Sequence, residues 1–226
     1  MIDTGGSLTN QGNLSNNTTI PLLKSYGINK LHYLILTHGD ADHMGEASNI
    51  VNNLKVETVI FNCGNYNNME KELIKQLSKK NIEYYTCINK LNIKDIKLYF
   101  LNTKDYKNEN DNSNVIYTKI FNKSYLFMGD AGVEVEQELI EKYNLKDIDV
   151  LKVGHHGSPT SSGKEFIDEV NNKYSIISVG KNNRYGHPNK EVLDNLKNSK
   201  ICRTDRDGSI LFKIKSGKLI IETCGL

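Results

Sequence analysis

The chain has no apolar run approaching the roughly 20 residues needed to cross a bilayer as a helix. Its start, Met1-Ile2-Asp3-Thr4-Gly5-Gly6, has no basic segment followed by an apolar stretch, so no signal peptide is read there. These two absences give a cytoplasmic location as the expectation, with membranes met only through a partner. Net charge is also scarce: 29 Lys and Arg against 27 Asp and Glu leave +2. No global field therefore announces a nucleic-acid binder. The four cysteines, Cys63, Cys87, Cys202 and Cys224, form no C-x-x-C pair, which argues against a cysteine metal site and for reduced structural thiols. Linkers, repeats and low-complexity tails are missing too. A length of 226 residues at 38% hydrophobic content suits one domain over residues 1–226 with a substantial core.

Against this plain background one segment is dense in chemistry. Thr37-His38-Gly39-Asp40-Ala41-Asp42-His43 places His38, Asp40, Asp42 and His43 within six residues. The apolar run Tyr33-Leu34-Ile35-Leu36 before it reads as a buried strand, and Met44 to Leu54 after it as a helix. The cluster thus sits on a strand-to-helix loop, where side chains can converge. Imidazole nitrogens and carboxylate oxygens suit zinc, iron or manganese. Without a cation between them, such groups desolvate and repel.

Elsewhere, Ile2-Asp3 reads as a strand tail, residues 7–19 as a loop and Ile20–Tyr26 as a short helix. Strands are expected at 58–61, 83–86, 96–101, 150–153 and 176–179, and helices at 69–80, 133–143, 164–171 and 190–197. Hairpins are expected around Asn122-Lys123 and Ser216-Gly217. The mixed order points to an α/β fold of two sheets between helices, not a simple doubly wound sheet.

Three later strand ends carry further candidates. Asp130 lies in Gly129-Asp130-Ala131-Gly132, where it could bridge paired metals or cap the next helix. His155 and His156 lie between glycines in Gly154-His155-His156-Gly157-Ser158. One ring could bind metal while the other donates a proton, and the residues alone do not say which. Gly157 and Ser158 could supply donors to an oxyanion. His187 follows Asn183-Arg184-Tyr185-Gly186; Arg184 and Tyr185 could contact a phosphate, though a solvated loop accounts for them as well. Lys152, Lys164 and Lys181 could line the same rim or be ordinary surface lysines. His32 is read as structural.

Taken together, Ile2-Asp3-Thr-Gly-Gly, Thr37-His38-x-Asp40-x-Asp42-His43, Met128-Gly129-Asp130 and the late His187 resemble the metallo-β-lactamase fold superfamily. Asp40 in place of a second His, Glu109-Asn-Asp-Asn-Ser113, Lys152-Val-Gly-His-His-Gly-Ser158, Arg184-Tyr-Gly-His-Pro188 and Arg203-Thr-Asp-Arg-Asp-Gly-Ser209 narrow the resemblance to the ComEC family of DNA-uptake competence proteins. It implies a four-layer αββα sandwich with two divalent ions, zinc or manganese. His38, Asp40 and His155 would hold the first ion, and Asp42, His43 and His187 the second, with Asp130 bridging. Asp3 and Asn112 would support the ligands, Asp42 and His156 would carry catalytic roles, and Ser158, Arg184 and Tyr185 would meet substrate. The family's usual His before the middle hairpin is absent; Asp111, Asn112 and Asn114 stand there instead. Relatives also carry strands before the Asp-Thr-Gly turn, so the domain is expected to be N-terminally incomplete, with an unpaired edge.

The resemblance implies a hydrolase that acts through a metal-bound hydroxide, with the ions about 3.5–4 Å apart and His156 protonating the leaving oxygen. Phosphodiesters, in particular single-stranded DNA during uptake, are the expected substrates, and a membrane DNA-uptake channel the expected partner of a monomeric chain. Ester, lactone or phosphocholine-ester hydrolysis is the alternative chemistry. A truncated, non-catalytic DNA- or partner-binding module is the alternative of another class.

Overall fold

Parallel strands need helical crossovers, and the first third of the chain supplies them in turn. In the computed structural model, which describes residues 1–8 and 12–225, the backbone groups into two compact units. One comprises Met1–Ile88 and Thr103–Asn114, the other Asn89–Asn102 and Val115–Leu226.

The first unit holds β1 (Lys30–Ile35), β2 (Lys55–Phe61) and β3 (Glu83–Thr86), all parallel and in that spatial order. Between them run α2 (Ala41–Met44), α3 (Ala47–Asn53) and α4 (Asn68–Lys79), after α1 (Ile20–Ser25). Leu34, Val59, Phe61, Ile50 and Leu77 form its core. At full burial each such side chain contributes about 1.5–3 kcal/mol. The helix expected over 44–54 is broken at Gly45-Glu46. The break lets the buried Glu46 carboxylate accept from the Gly12 and Ser15 N–H groups and from the Ser15 hydroxyl. That anchor is also why the loop expected over 7–19 is wrong: Ser15–Thr19 is a π-helical turn leading into α1. Thr9, Asn10 and Gln11 of that stretch lie outside the described residues. Ile2 makes a parallel bridge to Ile35, and Asp3 leaves it at φ 52°.

The expectation of reduced thiols is corrected. Cys63 and Cys87 form a disulfide, with Cα atoms 4.4 Å apart. Because Phe61 pairs with Thr86 across β2 and β3, these cysteines come side by side just past the strand ends. Nothing in their linear spacing reveals this. Cys202 and Cys224 are free. Among the described residues, no helix is long and apolar enough to cross a membrane.

The second unit is built on a seven-stranded sheet of β4 (Lys90–Ile93), β5 (Ile96–Phe100), β6 (Ile116–Ile120), β7 (Lys123–Phe127), β8 (Val150–Lys152), β9 (Tyr174–Ile177) and β10 (Lys200–Arg203). These strands lie in sequence order across the sheet; β4 to β7 pair antiparallel and β7 to β10 parallel. α5 (Val133–Lys142), α6 (Lys164–Val170) and α7 (Lys190–Asn195) connect the parallel part, and α8 (Thr204–Asp207) leads from β10 to β11 (Ser209–Lys215), which pairs with β12 (Lys218–Cys224) as a separate hairpin. Among the described residues, the two principal sheets match the α/β expectation, and the terminal hairpin stands as a further two-stranded sheet. β4, β10 and α8 were not expected: each is only four residues long, too short for its pattern to stand out. The middle hairpin turns at Phe121-Asn122, both at positive φ, one residue before the expected place. The carboxyl ends of β7, β8 and β9 lead into the loops carrying Asp130, the His155-His156 pair and His187.

Candidate metal centre

In the first unit, Asp3 organises the loop after β1. Its carboxylate accepts from the Thr37 N–H at 2.7 Å, the Thr37 hydroxyl at 2.9 Å and His43 Nδ1 at 2.8 Å. Thr37 thereby spends its one hydroxyl proton on Asp3. Its Oγ1, 3.1 Å from His38 Nδ1, can then only accept there. Both imidazoles are therefore set as Nδ1–H, with Nε2 as the lone-pair nitrogen of the neutral ring. His38 is fully buried, and its Nε2 has no hydrogen-bond partner among the described residues. Asp40 Oδ2 stands 3.6 Å away. A buried lone pair facing a carboxylate is costly unless a cation or proton lies between them, so these donors fit a divalent ion. His43 is buried with its ring centroid 4.2 Å from that of His38, while Asp42 is exposed on the first turn of α2.

A bracket that the sequence reading did not identify holds this loop from behind. Asn67 caps α4 by accepting from Met69 and Glu70 N–H, and Glu70 accepts in return from Asn67 N–H. Its amide donates to the Gly39 carbonyl and to Glu109 Oε1, both at 2.8 Å. A Cβ at Gly39 would lie 2.2 Å from Glu109, 2.3 Å from Asn67 and 2.6 Å from Glu70, which explains the glycine. Burial pushes the Glu70 carboxyl up to about 7, aided by the Glu109 and Asp40 charges and opposed by Asn67 N–H and His38. The pattern Asn67-x-x-Glu70 was the available signal. Asn112 does not support the ligands as expected. Its side chain pairs with the backbone of Tyr106, and Ser113 instead lies 3.4 Å from His38 Nδ1. Asn114 donates to the Leu36 carbonyl, so polar backbone supports occupy the place where the family has its His.

In the second unit, Asp130 is buried, and α5 carries no side-chain cap, which removes the capping alternative. Asp130 Oδ2 lies 3.8 Å from His155 Nε2 and 3.7 Å from His156 Nε2. Both histidines are left-handed, at φ 45° and 53°, a conformation that turns two successive rings toward one acid. His156 Nδ1 meets the Ser178 carbonyl at 2.6 Å, so it carries the hydrogen, and Nε2 of the neutral ring has none to give. A carbonyl-anchored Nδ1 that directs Nε2 toward an acid is the arrangement of a metal-binding imidazole, a role to set beside the proton donation expected of His156. His155 Nδ1 lies 3.0 Å from the Thr160 hydroxyl, which also contacts Ser158 Oγ at 3.0 Å. Ser158 is buried within this turn, so its hydroxyl steadies His155's partner and is not presented to substrate as expected.

His187 lies next to His155, with ring centroids 6.0 Å apart, and stacks on Tyr185 at 5.7 Å. Burial, and then the His155 and His156 charges, hold its pKa below the usual imidazole value, with Asp130 opposing. Asn183 clamps the His187 backbone at both N–H and C=O. Arg184 and Tyr185 are exposed and bonded to each other, Arg184 Nη2 to Tyr185 Oη at 2.5 Å. Lys164 pairs with Asp168, Lys152 donates to its neighbour's carbonyl, Lys181 is exposed, and His32 is a surface residue 3.9 Å from Glu57.

The ligand chemistry of both groups, on strand-end loops of a mixed α/β chain, is that of a metal-dependent hydrolase. The sequence profile of the Metallo-beta-lactamase superfamily matches residues 1–181, and the chain belongs to that superfamily. More particularly, it is similar to ComE operon protein 3 of Bacillus subtilis (strain 168), 36% identical over 96% of this chain and 30% of that protein. Recombination protein 2 of Haemophilus influenzae is 32% identical over 87% of this chain and 23% of its own length. Competence protein ComA of Neisseria gonorrhoeae is 28% identical over 88% and 27%. The chain thus spans less than a third of these curated relatives. Among solved structures, the metallo-beta-lactamase fold protein YhfI of Bacillus subtilis shares the fold at a TM-score of 0.50 and 13% identity, covering 80% of this chain and 79% of its own.

Proposed function

We propose that the chain hydrolyses phosphodiesters, with single-stranded DNA as substrate, using divalent ions held by the ligand residues of its strand-end loops. The observation that carries this is the buried Nε2 of His38, which faces Asp40 and has no hydrogen-bond partner among the described residues. The proposed donors, carried over from the family resemblance with His156 in the place of His155, are His38, Asp40, Asp42 and His43 in the first unit and Asp130, His156 and His187 in the second. Two ions, zinc or manganese, would supply Lewis acidity and an activated water near neutral pH. The carboxylate-rich set makes manganese a real competitor to zinc.

The protein's own residues prepare that chemistry. Asp3 and Thr37 fix the tautomers of His38 and His43, so no ring has to reorient when an ion arrives. The Ser178 carbonyl does the same for His156. Asn67 holds the Gly39 carbonyl and with it the span between His38 and Asp40. Arg184, exposed beside His187, is the available cation for a substrate phosphate. The similarity to competence proteins supports DNA as the polymer. A membrane DNA-uptake channel would be the partner, and the chain itself would act as a monomer.

The test incubates protein loaded with manganese or zinc with labelled single-stranded DNA and, separately, with ester, lactone and phosphocholine-ester substrates. Nucleotide release from DNA, abolished by Asp130→Asn, is expected. Ester turnover without DNA cleavage would reject the reading.

A further inference from the structure

We propose that one face of β4–β6 is a platform for single-stranded nucleic acid, separate from the ligand loops, on which tyrosine rings stack with bases and lysines meet phosphates. β5 and β6 alternate strictly. Leu98, Phe100, Ile116 and Thr118 are buried on one face, which leaves Lys97, Tyr99, Tyr117 and Lys119 on the other. That second face opens into a groove of about 610 Å³, lined by these four residues together with Tyr143 and Asp95.

Its charge pattern points to an anionic occupant. Leu98 pairs with Thr118 and Tyr99 with Tyr117, so the same register sets Lys97 opposite Lys119. Like charges facing each other across adjacent strands are unfavourable. No ion pair engages either lysine among the described residues, and Asp95 is the one carboxylate in the lining. Lys90 and Lys142 add positive flanks, 5.6 Å over the Tyr99 ring and 5.0 Å over the Tyr143 ring. A phosphate chain turns this repulsion into attraction.

Its rings specify what accompanies the phosphates. Tyr99 and Tyr117 stand 6.4 Å apart, with Tyr99 38% exposed. The Tyr143 hydroxyl, donated to the Leu101 carbonyl at 3.2 Å, fixes a third ring at the groove edge. Aromatic rings beside spaced lysines are the combination that binds unpaired bases, because only an unpaired base exposes its π-face. A duplex would meet the lysines but not the rings. The platform deepens the DNA reading of the preceding section and rests on it for its role, but its test does not depend on turnover.

Fluorescence anisotropy with a 5′-labelled 15-mer of oligothymidylate in EDTA measures binding with hydrolysis silenced. Tyr99→Ala with Tyr117→Ala is expected to weaken binding roughly 25-fold or more, at about fivefold or more per stacked base. Lys97→Gln with Lys119→Gln should lower the slope of log K against log salt by about 1.4. Matching circular dichroism and melting would show both variants folded. A tyrosine variant within twofold of the parent, a duplex bound as tightly as the single strand, a polyglutamate peptide competing equally, or no binding by the parent would each overturn the proposal. Intact binding without hydrolysis in manganese would reject the catalytic reading and leave the platform standing. Hydrolysis with binding indifferent to both variants would do the reverse.

Discussion

Reduction of the Cys63–Cys87 bond should destabilise the protein measurably. The two cysteines are 24 residues apart in sequence, and closing a loop of that length removes chain entropy worth about 3.4 kcal/mol at 25 °C. Unfolding entropy of about 2.1 cal/mol/K per residue over 226 residues is about 0.47 kcal/mol/K, so the melting temperature should fall by about 7 °C. The closed loop also contains α4, whose Asn67 cap holds Gly39 between His38 and Asp40, so metal affinity should fall with stability. Calorimetry of the metal-free protein, with and without reductant, reads the shift. A Cys63→Ser, Cys87→Ser variant should melt like the reduced parent and ignore reductant. A thiol titration of the denatured, unreduced protein should find two free thiols, from Cys202 and Cys224. Four thiols, or a melting temperature unmoved by reductant, would refute the reasoning.

Other perturbations follow from the same contacts. Asp3→Ala releases Thr37 and His43 and should cost about 10–100-fold in metal affinity, read by competition with a chelating dye. Asn67→Ser keeps a capping oxygen but loses the donors to Gly39 and Glu109; it should retain most of the helix stability that Asn67→Ala loses, about 1 kcal/mol by denaturant titration, while both variants weaken metal binding. Glu70, pushed up by burial to about 7 from the usual 4.5, binds its proton more tightly folded than unfolded. Stability of the metal-free protein should therefore fall as pH rises from about 4.5 to 7, by on the order of 2 kcal/mol. In Glu70→Gln that slope should shrink; an unchanged slope would assign the dependence to other groups.

The chemistry was more legible in the sequence than the scaffold that aims it. His38, Asp40, Asp42 and His43 stand out because four ligand-type residues follow an apolar strand at once, and Asp130 and the His155-His156 pair stand out because glycines flank them after buried strands. The parallel strands were legible wherever apolar runs were continuous. What stayed hidden depends on contacts between residues distant in sequence. The Ser15–Thr19 turn is held by Glu46, some 30 residues on, and the disulfide depends on the β2–β3 register. Two adjacent histidines could not be told apart until the Ser178 carbonyl was seen beside His156. The supporting role expected of Asn112 falls beside its neighbour Ser113, because backbone direction decides which side chain faces His38.

The central claim is that these loops hold divalent ions that drive hydrolysis, and elemental analysis of purified protein paired with its Asp130→Asn variant tests it most directly. About two equivalents of manganese or zinc per parent chain are expected, with metal and DNA cleavage both lost in the variant. A folded parent that binds no divalent ion at micromolar concentrations, or a variant that keeps full metal content and turnover, would contradict it.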